Sequence, residues 1–186
     1  LVIRDPGALS VDVLRTIEVH ADGFVAPEWS SDGTRLAYYA SLGGDSDVWV
    51  QALDGEPRQL TFEGRDNMFP TWSPDDSRIA FQRELGGPRQ IWTVPAAGGE
   101  PTRLTHDDDR EFSHPQWSPV DPDEILVVLD HAGLAIVSAS TGEYTPVTDF
   151  RTSRWLIDYP SWSHDGAKVY FSVARQVGAS YLLEGF

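Results

Sequence analysis

The side chains able to do acid–base or metal chemistry here are five histidines and 29 acidic residues; there is no cysteine. His106 and His114 bracket an acidic run, Asp107-Asp108-Asp109 with Glu111, and Asp121, Asp123 and Glu124 form a second oxygen-rich group. Imidazoles suit a transition metal and carboxylate loops suit calcium. The spacing fits neither. There is no His-Glu-x-x-His pair and no Asp-x-Asp-x-Asp-Gly loop, and three consecutive acids cannot all face one ion. Histidines can surround a catalytic cation, which keeps His106 and His114 as the alternative. The Gly-x-Ser-x-Gly elbow of a serine hydrolase is missing from the sequence, so a complete peptidase is not expected. Gly43-Gly44, Gly86-Gly87 and Gly98-Gly99 read as hairpin turns, not as a phosphate-binding loop. The expectation is a chain with no catalytic residue, no metal and no cofactor.

What does recur is a phrase. Glu28-Trp29-Ser30-Ser31-Asp32-Gly33, Thr71-Trp72-Ser73-Pro74-Asp75-Asp76, Gln116-Trp117-Ser118-Pro119 and Ser161-Trp162-Ser163-His164-Asp165-Gly166 are four versions of it. A proline stands two places before each tryptophan: Pro27, Pro70, Pro115 and Pro160. The tryptophans are 43, 45 and 45 residues apart. Repeats of that length with several short strands mark propeller blades. Asp and Gly after the tryptophan suit a tight turn. The third copy is looser, with Val120, Asp121, Pro122 and Asp123 in its turn.

Each unit divides into four strands. The second is β-branched and aromatic: Arg35–Tyr39, Arg78–Phe81, Ile125–Leu129 and Lys168–Phe171. The third runs through Val48-Trp49-Val50, Ile91-Trp92-Thr93, Ala135-Ile136-Val137 and Tyr181-Leu182-Leu183; the fourth through Arg58–Thr61, Thr102–Thr105 and Tyr144–Thr148. The last unit stops at Phe186 without a fourth strand, while Leu14–Val19 precedes the first unit as an orphan. Ile17 lies 12 residues before Trp29, as Leu60 lies 12 before Trp72. This register predicts an all-β, four-bladed β-propeller whose N-terminal strand closes the last blade. Closure would hide sheet edges. Residues 1–12 form an N-terminal extension and 13–186 a single propeller domain of four repeats.

The net charge of −15 disfavours nucleic acid and anionic lipid. A basic or zwitterionic partner, or a cation, meets no such repulsion. No apolar run reaches the roughly 18 residues a membrane span needs.

Pro-x-Trp-Ser-Pro-Asp, an apolar strand, an Ile-Trp or Val-Trp strand and then Gly-Glu-Pro-x-x-Leu-Thr together resemble the TolB-type propeller repeat. Pro70–Asp76 and Gly99–Thr105 carry the resemblance best. It implies a non-enzymatic protein–protein interaction module, an accessory subunit docking on a larger cell-envelope or membrane complex. It also implies a periplasmic or otherwise secreted location. Family members usually carry six or more blades, so four is a departure. A metal-dependent lyase or hydrolase acting on a sugar, or a ligand-binding sensor ring, are the alternatives.

In a propeller, the loops joining fourth to first strands share one face with those joining second to third. The longest such loop, Asp149–Tyr159, holds Arg151, Arg154, Trp155 and Tyr159. The matching loops offer Phe24, then Arg65, Met68 and Phe69, then Phe112. Trp, Tyr and Arg are enriched in interface hot spots. The expected protein-binding residues are therefore Arg65, Met68, Phe112, Arg151, Arg154, Trp155 and Tyr159.

Overall fold

A computed structural model describes residues 2–4, 13–16, 26–42, 44–63, 65–150, 155–177 and 180–184. All of its regular elements there are strands. A two-stranded sheet pairs β1 (Val2–Arg4) with β2 (Val13–Thr16). The first blade is β3 (Glu28–Trp29), β4 (Arg35–Leu42), β5 (Asp45–Ala52) and β6 (Arg58–Gln59). The second is β7 (Arg65–Trp72), β8 (Arg78–Glu84), β9 (Gln90–Pro95) and β10 (Thr102–Arg103). The third is β11 (Phe112–Trp117), β12 (Glu124–Leu129), β13 (Gly133–Ser138) and β14 (Tyr144–Asp149). The fourth holds three strands, β15 (Trp155–Trp162), β16 (Val169–Val177) and β17 (Ser180–Glu184). Each blade is an antiparallel meander.

The strands follow the alternation of the sequence. In β5 the buried side chains of Ser46, Val48 and Val50 alternate with the less buried Asp47, Trp49 and Gln51. The central strands β8 and β12 are buried on both faces, because each lies inside its blade and between neighbouring blades. Two core clusters span blade boundaries. One joins Val48, Val50 and Leu60 of the first blade to Trp72, Ile79, Phe81 and Val94 of the second. The other joins Ala80 and Ile91 of the second to Phe112, Trp117, Ile125 and Val127 of the third.

The repeated tryptophan is the joint. Trp72 is 5% exposed, donates its indole N–H to the Glu28 carbonyl at 3.1 Å, and lies under the Arg35 guanidinium, 4.7 Å from the ring centre. Trp162 repeats the bond to the Gln116 carbonyl at 3.0 Å, and Arg78 stacks over Trp117 at 4.9 Å. Trp117 departs by donating to Pro122 O in its own looser turn, where the added residues bring a carbonyl within reach. Trp29, which follows no described blade, is 41% exposed.

A second repeated device holds the outer strand. Thr61, Thr105 and Thr148 each accept a backbone N–H from the third strand, from Val48, Ile91 and Leu134. Thr105 is buried and also donates to Gln90 Oε1 at 2.8 Å. Thr105→Val keeps the shape but orphans the buried Ile91 N–H. A loss of about 1–3 kcal/mol is expected from that group, read as a lower urea midpoint with an unchanged slope.

One expectation is corrected here. Val13–Thr16 does not complete the last blade; it pairs with Val2–Arg4, Val2 opposite Thr16 and Ile3 opposite Arg15. The physical reason is local. The extension supplies a strand only a few residues upstream, and closing so short a loop costs less chain entropy than pairing across the whole chain. Ile17 to Val19 lie outside the described residues. Consecutive blades pack on one another, and among the described elements the fourth makes no packing of similar extent with the first.

Candidate functional site

The innermost strands β7, β11 and β15 share an irregularity. Their pairing slips between Met68 and Thr71, between Ser113 and Gln116, and between Asp158 and Ser161. Each slip holds a residue three places before the repeat tryptophan: Phe69, His114 and Tyr159, with φ of 52°, 49° and 51°. Left-handed backbone is costly for bulky side chains, and such strain gathers at binding sites. Its effect here is to turn three rings to one place. The Phe69 and His114 ring centres are 4.1 Å apart, His114 and Tyr159 5.1 Å, and Tyr39 lies 5.4 Å from Phe69.

These rings line a cavity of about 370 Å³ with Ala26, Pro27, Glu28, Pro70, Gln116, Pro160 and Ser161. Glu28 stands one place before Trp29. Its Oε1 accepts the Thr71 hydroxyl at 2.9 Å and the Trp72 N–H at 3.3 Å. Thr71 Oγ1 in turn accepts the Trp117 N–H at 3.0 Å, so one chain of bonds ties three blades. Burial raises the Glu28 carboxyl to about 7, against the two hydrogen bonds that favour its charge. Burial also lowers His114 to about 4, so its ring is neutral at pH 7 despite nearby Asp158.

A polar rim adjoins the cavity. His131 Nε2 lies 2.9 Å from Glu111 Oε1, and His131 Nδ1 lies 3.7 Å from Asp158 Oδ1. The neighbouring Asp158 carboxylate raises the His131 pKa against partial burial. Arg89 Nη1 donates to the same Glu111 oxygen at 2.6 Å. His131 sits in a tight turn between β12 and β13, with φ of 53°.

A model of the TolB beta propeller domain matches residues 11–184. The chain belongs to the TolB β-propeller domain family. No curated protein sequence matches it. Among solved structures it is similar to TolB from Acinetobacter baumannii, with a TM-score of 0.66 and 22% identity, covering 85% of this chain and 39% of that one. A putative TolB from Agrobacterium tumefaciens gives 0.68 and 23%, covering 83% and 57%. A puromycin hydrolase gives 0.60 and 21%, covering 86% and 26%. These likenesses show the fold. This chain spans 26 to 57% of the length of those three proteins.

The TolB-type frame distributes the expected contact residues unevenly. Tyr159 lines the cavity and is 62% exposed. Met68 is half-buried in β7, one place before Phe69. Phe112 is fully buried, edge-on to Tyr144 at 4.9 Å, and offers no surface. Arg65 and Trp155 open β7 and β15, but their side chains lie outside the described residues, as do Arg151, Arg154 and the extension's Asp5–Asp12. Phe24 lies outside them too.

The acidic groups are spent on turns. Asp107 accepts the Asp109 N–H and the Tyr144 hydroxyl at 2.9 Å, and Asp108 pairs with Arg103. Asp123 caps the next hairpin through Ser138 and Ser140. Among the described residues no group of three or more acids and histidines has the geometry to hold a metal ion. Sequence reasoning missed Glu28 and the His131–Glu111 pair, and weighed His114 only with His106 as a metal ligand. The signal for two of these was present: positions three and one before the repeat tryptophan, read as a set, face the channel.

Proposed function

We propose that this chain is a non-catalytic protein-interaction module of the cell envelope, and that its partner docks over the channel cavity. The observation that carries this reading is the aromatic cluster of Phe69, His114 and Tyr159, held on left-handed backbone at an open cavity. An exposed tyrosine among rings is the kind of anchor that dominates interfaces. The TolB family supports an interaction role and an accessory place in a larger envelope assembly. The lack of a nucleophile elbow fits a module without its own chemistry. Met68 belongs to the proposed contact set, and Arg65, Arg151, Arg154 and Trp155 are its further proposed members.

The test is capture of partners from a gently solubilised source by tagged protein, followed by affinity measurement with each one found. Tyr159→Ala is expected to weaken binding at least about 30-fold, as loss of a hot spot of 2 kcal/mol or more does. Tyr170→Ala, at an exposed ring elsewhere in the fourth blade, is the control and leaves affinity unchanged. Equal affinity for the Tyr159 variant and wild type would remove this face from consideration.

A further inference from the structure

The cavity has a charge imbalance. Among the described residues, its lining contains three prolines, the rings of Phe69, His114 and Tyr159, and one ionisable carboxyl, Glu28. Among the described residues no arginine or lysine lines it. Both described hydrogen bonds to Glu28 fall on the same oxygen and come from neutral donors, Thr71 and Trp72. A carboxylate so placed has given up water and gains no counter-ion among the described residues. Aromatic faces around it attract cations through their negative π-surfaces. The chain as a whole carries −15.

We propose that the cavity is a binding site for an organic cation, a guanidinium or alkylammonium group, seated against Phe69 and Tyr159 with its charge facing Glu28. The inference rests on the docking reading and names the chemistry the partner brings: an arginine or lysine side chain. A guanidinium suits the site better than a compact ammonium, being planar, weakly hydrated and able to stack on rings. About 370 Å³ holds such a group with its methylene stem. A hard metal ion is disfavoured, since it would need several oxygen ligands where the lining offers mostly rings and prolines.

The groups facing Glu28 set its pH response. Thr71 and Trp72 come from β7, His114 and Gln116 from β11, and Tyr159 and Ser161 from β15; Asp158, Glu111, His131 and Arg89 stand at the rim. Cation binding needs the ionised carboxylate, so affinity rises with pH through 7. Protonation of His131 on the acid side opposes the cation as well, and a Glu28→Gln background separates the two.

The experiment is titration of the purified protein with acetyl-Gly-Arg-Gly-amide, its citrulline counterpart and free agmatine. The arginine peptide is expected to bind at least about tenfold more tightly than the neutral citrulline peptide, the size of effect a partly desolvated ion pair gives. Binding at pH 8 should exceed that at pH 6 by about tenfold, because only the ionised fraction of Glu28 is competent. Glu28→Gln, which keeps the acceptor oxygen for Thr71 and Trp72, should abolish the preference for arginine over citrulline and leave of the pH difference only the part that His131 contributes. Equal affinity for the arginine and citrulline peptides, or unaltered discrimination in Glu28→Gln, overturns the proposal. If the peptides fail while Tyr159→Ala still loses its protein partner, the cation site falls and the docking face stands. If agmatine matches the peptide and Tyr159→Ala keeps every partner, the cation site stands, for a free small molecule, and the docking face falls.

Discussion

Replacing Trp72 by alanine is expected to lower the unfolding midpoint by roughly 10 °C. Truncating a buried large aromatic residue costs about 3–5 kcal/mol, and each kcal/mol moves the midpoint by about 2–4 °C in a chain this long. Three losses combine at this position. The indole fills the seam between the first and second blades, its N–H leaves the Glu28 carbonyl unpaired, and Arg35 loses the ring it stacks on. Trp29→Ala is the internal comparison. That ring occupies the same place in the repeat but is 41% exposed, so a shift of no more than about 3 °C is expected, as for a surface substitution. Thermal unfolding of the two variants side by side decides the matter. Equal shifts would mean that the tryptophan stabilises its own blade and not the joint between blades.

Glu28→Gln is expected to stabilise the protein by about 3 kcal/mol at pH 8 and by less than about 1 kcal/mol at pH 5. The carboxyl has a usual value of 4.5 and stands at about 7 in the fold. Between those values the folded state holds a proton that the unfolded state has released, so stability falls as pH rises through this window. Above pH 7 the fold carries the full cost of a buried carboxylate, about 1.4 kcal/mol for each pH unit of the shift. Glutamine cannot ionise and still accepts from Thr71 and Trp72, so its stability curve lacks this fall. His131, held up by Asp158, loses its stabilising contribution as pH rises, and His114, held down by burial, acts in the opposite direction on the acid side. Both are common to the two proteins and cancel in the difference. Urea unfolding at pH 5 and pH 8 gives the result. A Glu28→Gln protein that is no more stable than wild type at pH 8 would mean that the carboxylate is compensated where it sits.

A destabilising carboxylate kept in a cavity is the kind of feature that function preserves at the expense of stability. The same substitution that stabilises the chain is expected to remove its cation site. Stability and ligand titration on one variant therefore probe two sides of one cause.

Much of the architecture was legible because it is local and repeated. The alternation in Val48-Trp49-Val50 states which face of β5 is buried, and the Asp-Gly of Asp32-Gly33 states where its blade turns. Spacings of 43 and 45 residues state that the units stack in series. The pairing of Val13–Thr16 was not legible in this way. Its register fits a fourth strand, but a strand's pattern does not say which of two edges it will join, and Val2–Arg4 lies nearer along the chain. Phe112 was read as a contact residue from its loop position. Packing turned it inward against Tyr144, where a loop ends and a buried strand begins.

The sequence by itself determined that the chain is all-β, that it repeats a blade, that it belongs with the TolB propellers and that it carries a net charge of −15. Those properties depend on periodicity, motif and composition, which any stretch of chain carries with it. Only the tertiary structure decided that Glu28, Phe69, His114 and Tyr159 share one cavity. They come from four different blades, and no residue among them is unusual for its own strand. Their meeting depends on slips in strand pairing that turn each ring toward the axis, and on the packing of blade against blade. Both are long-range outcomes, written in how the repeats fit together and in no single copy of the repeat.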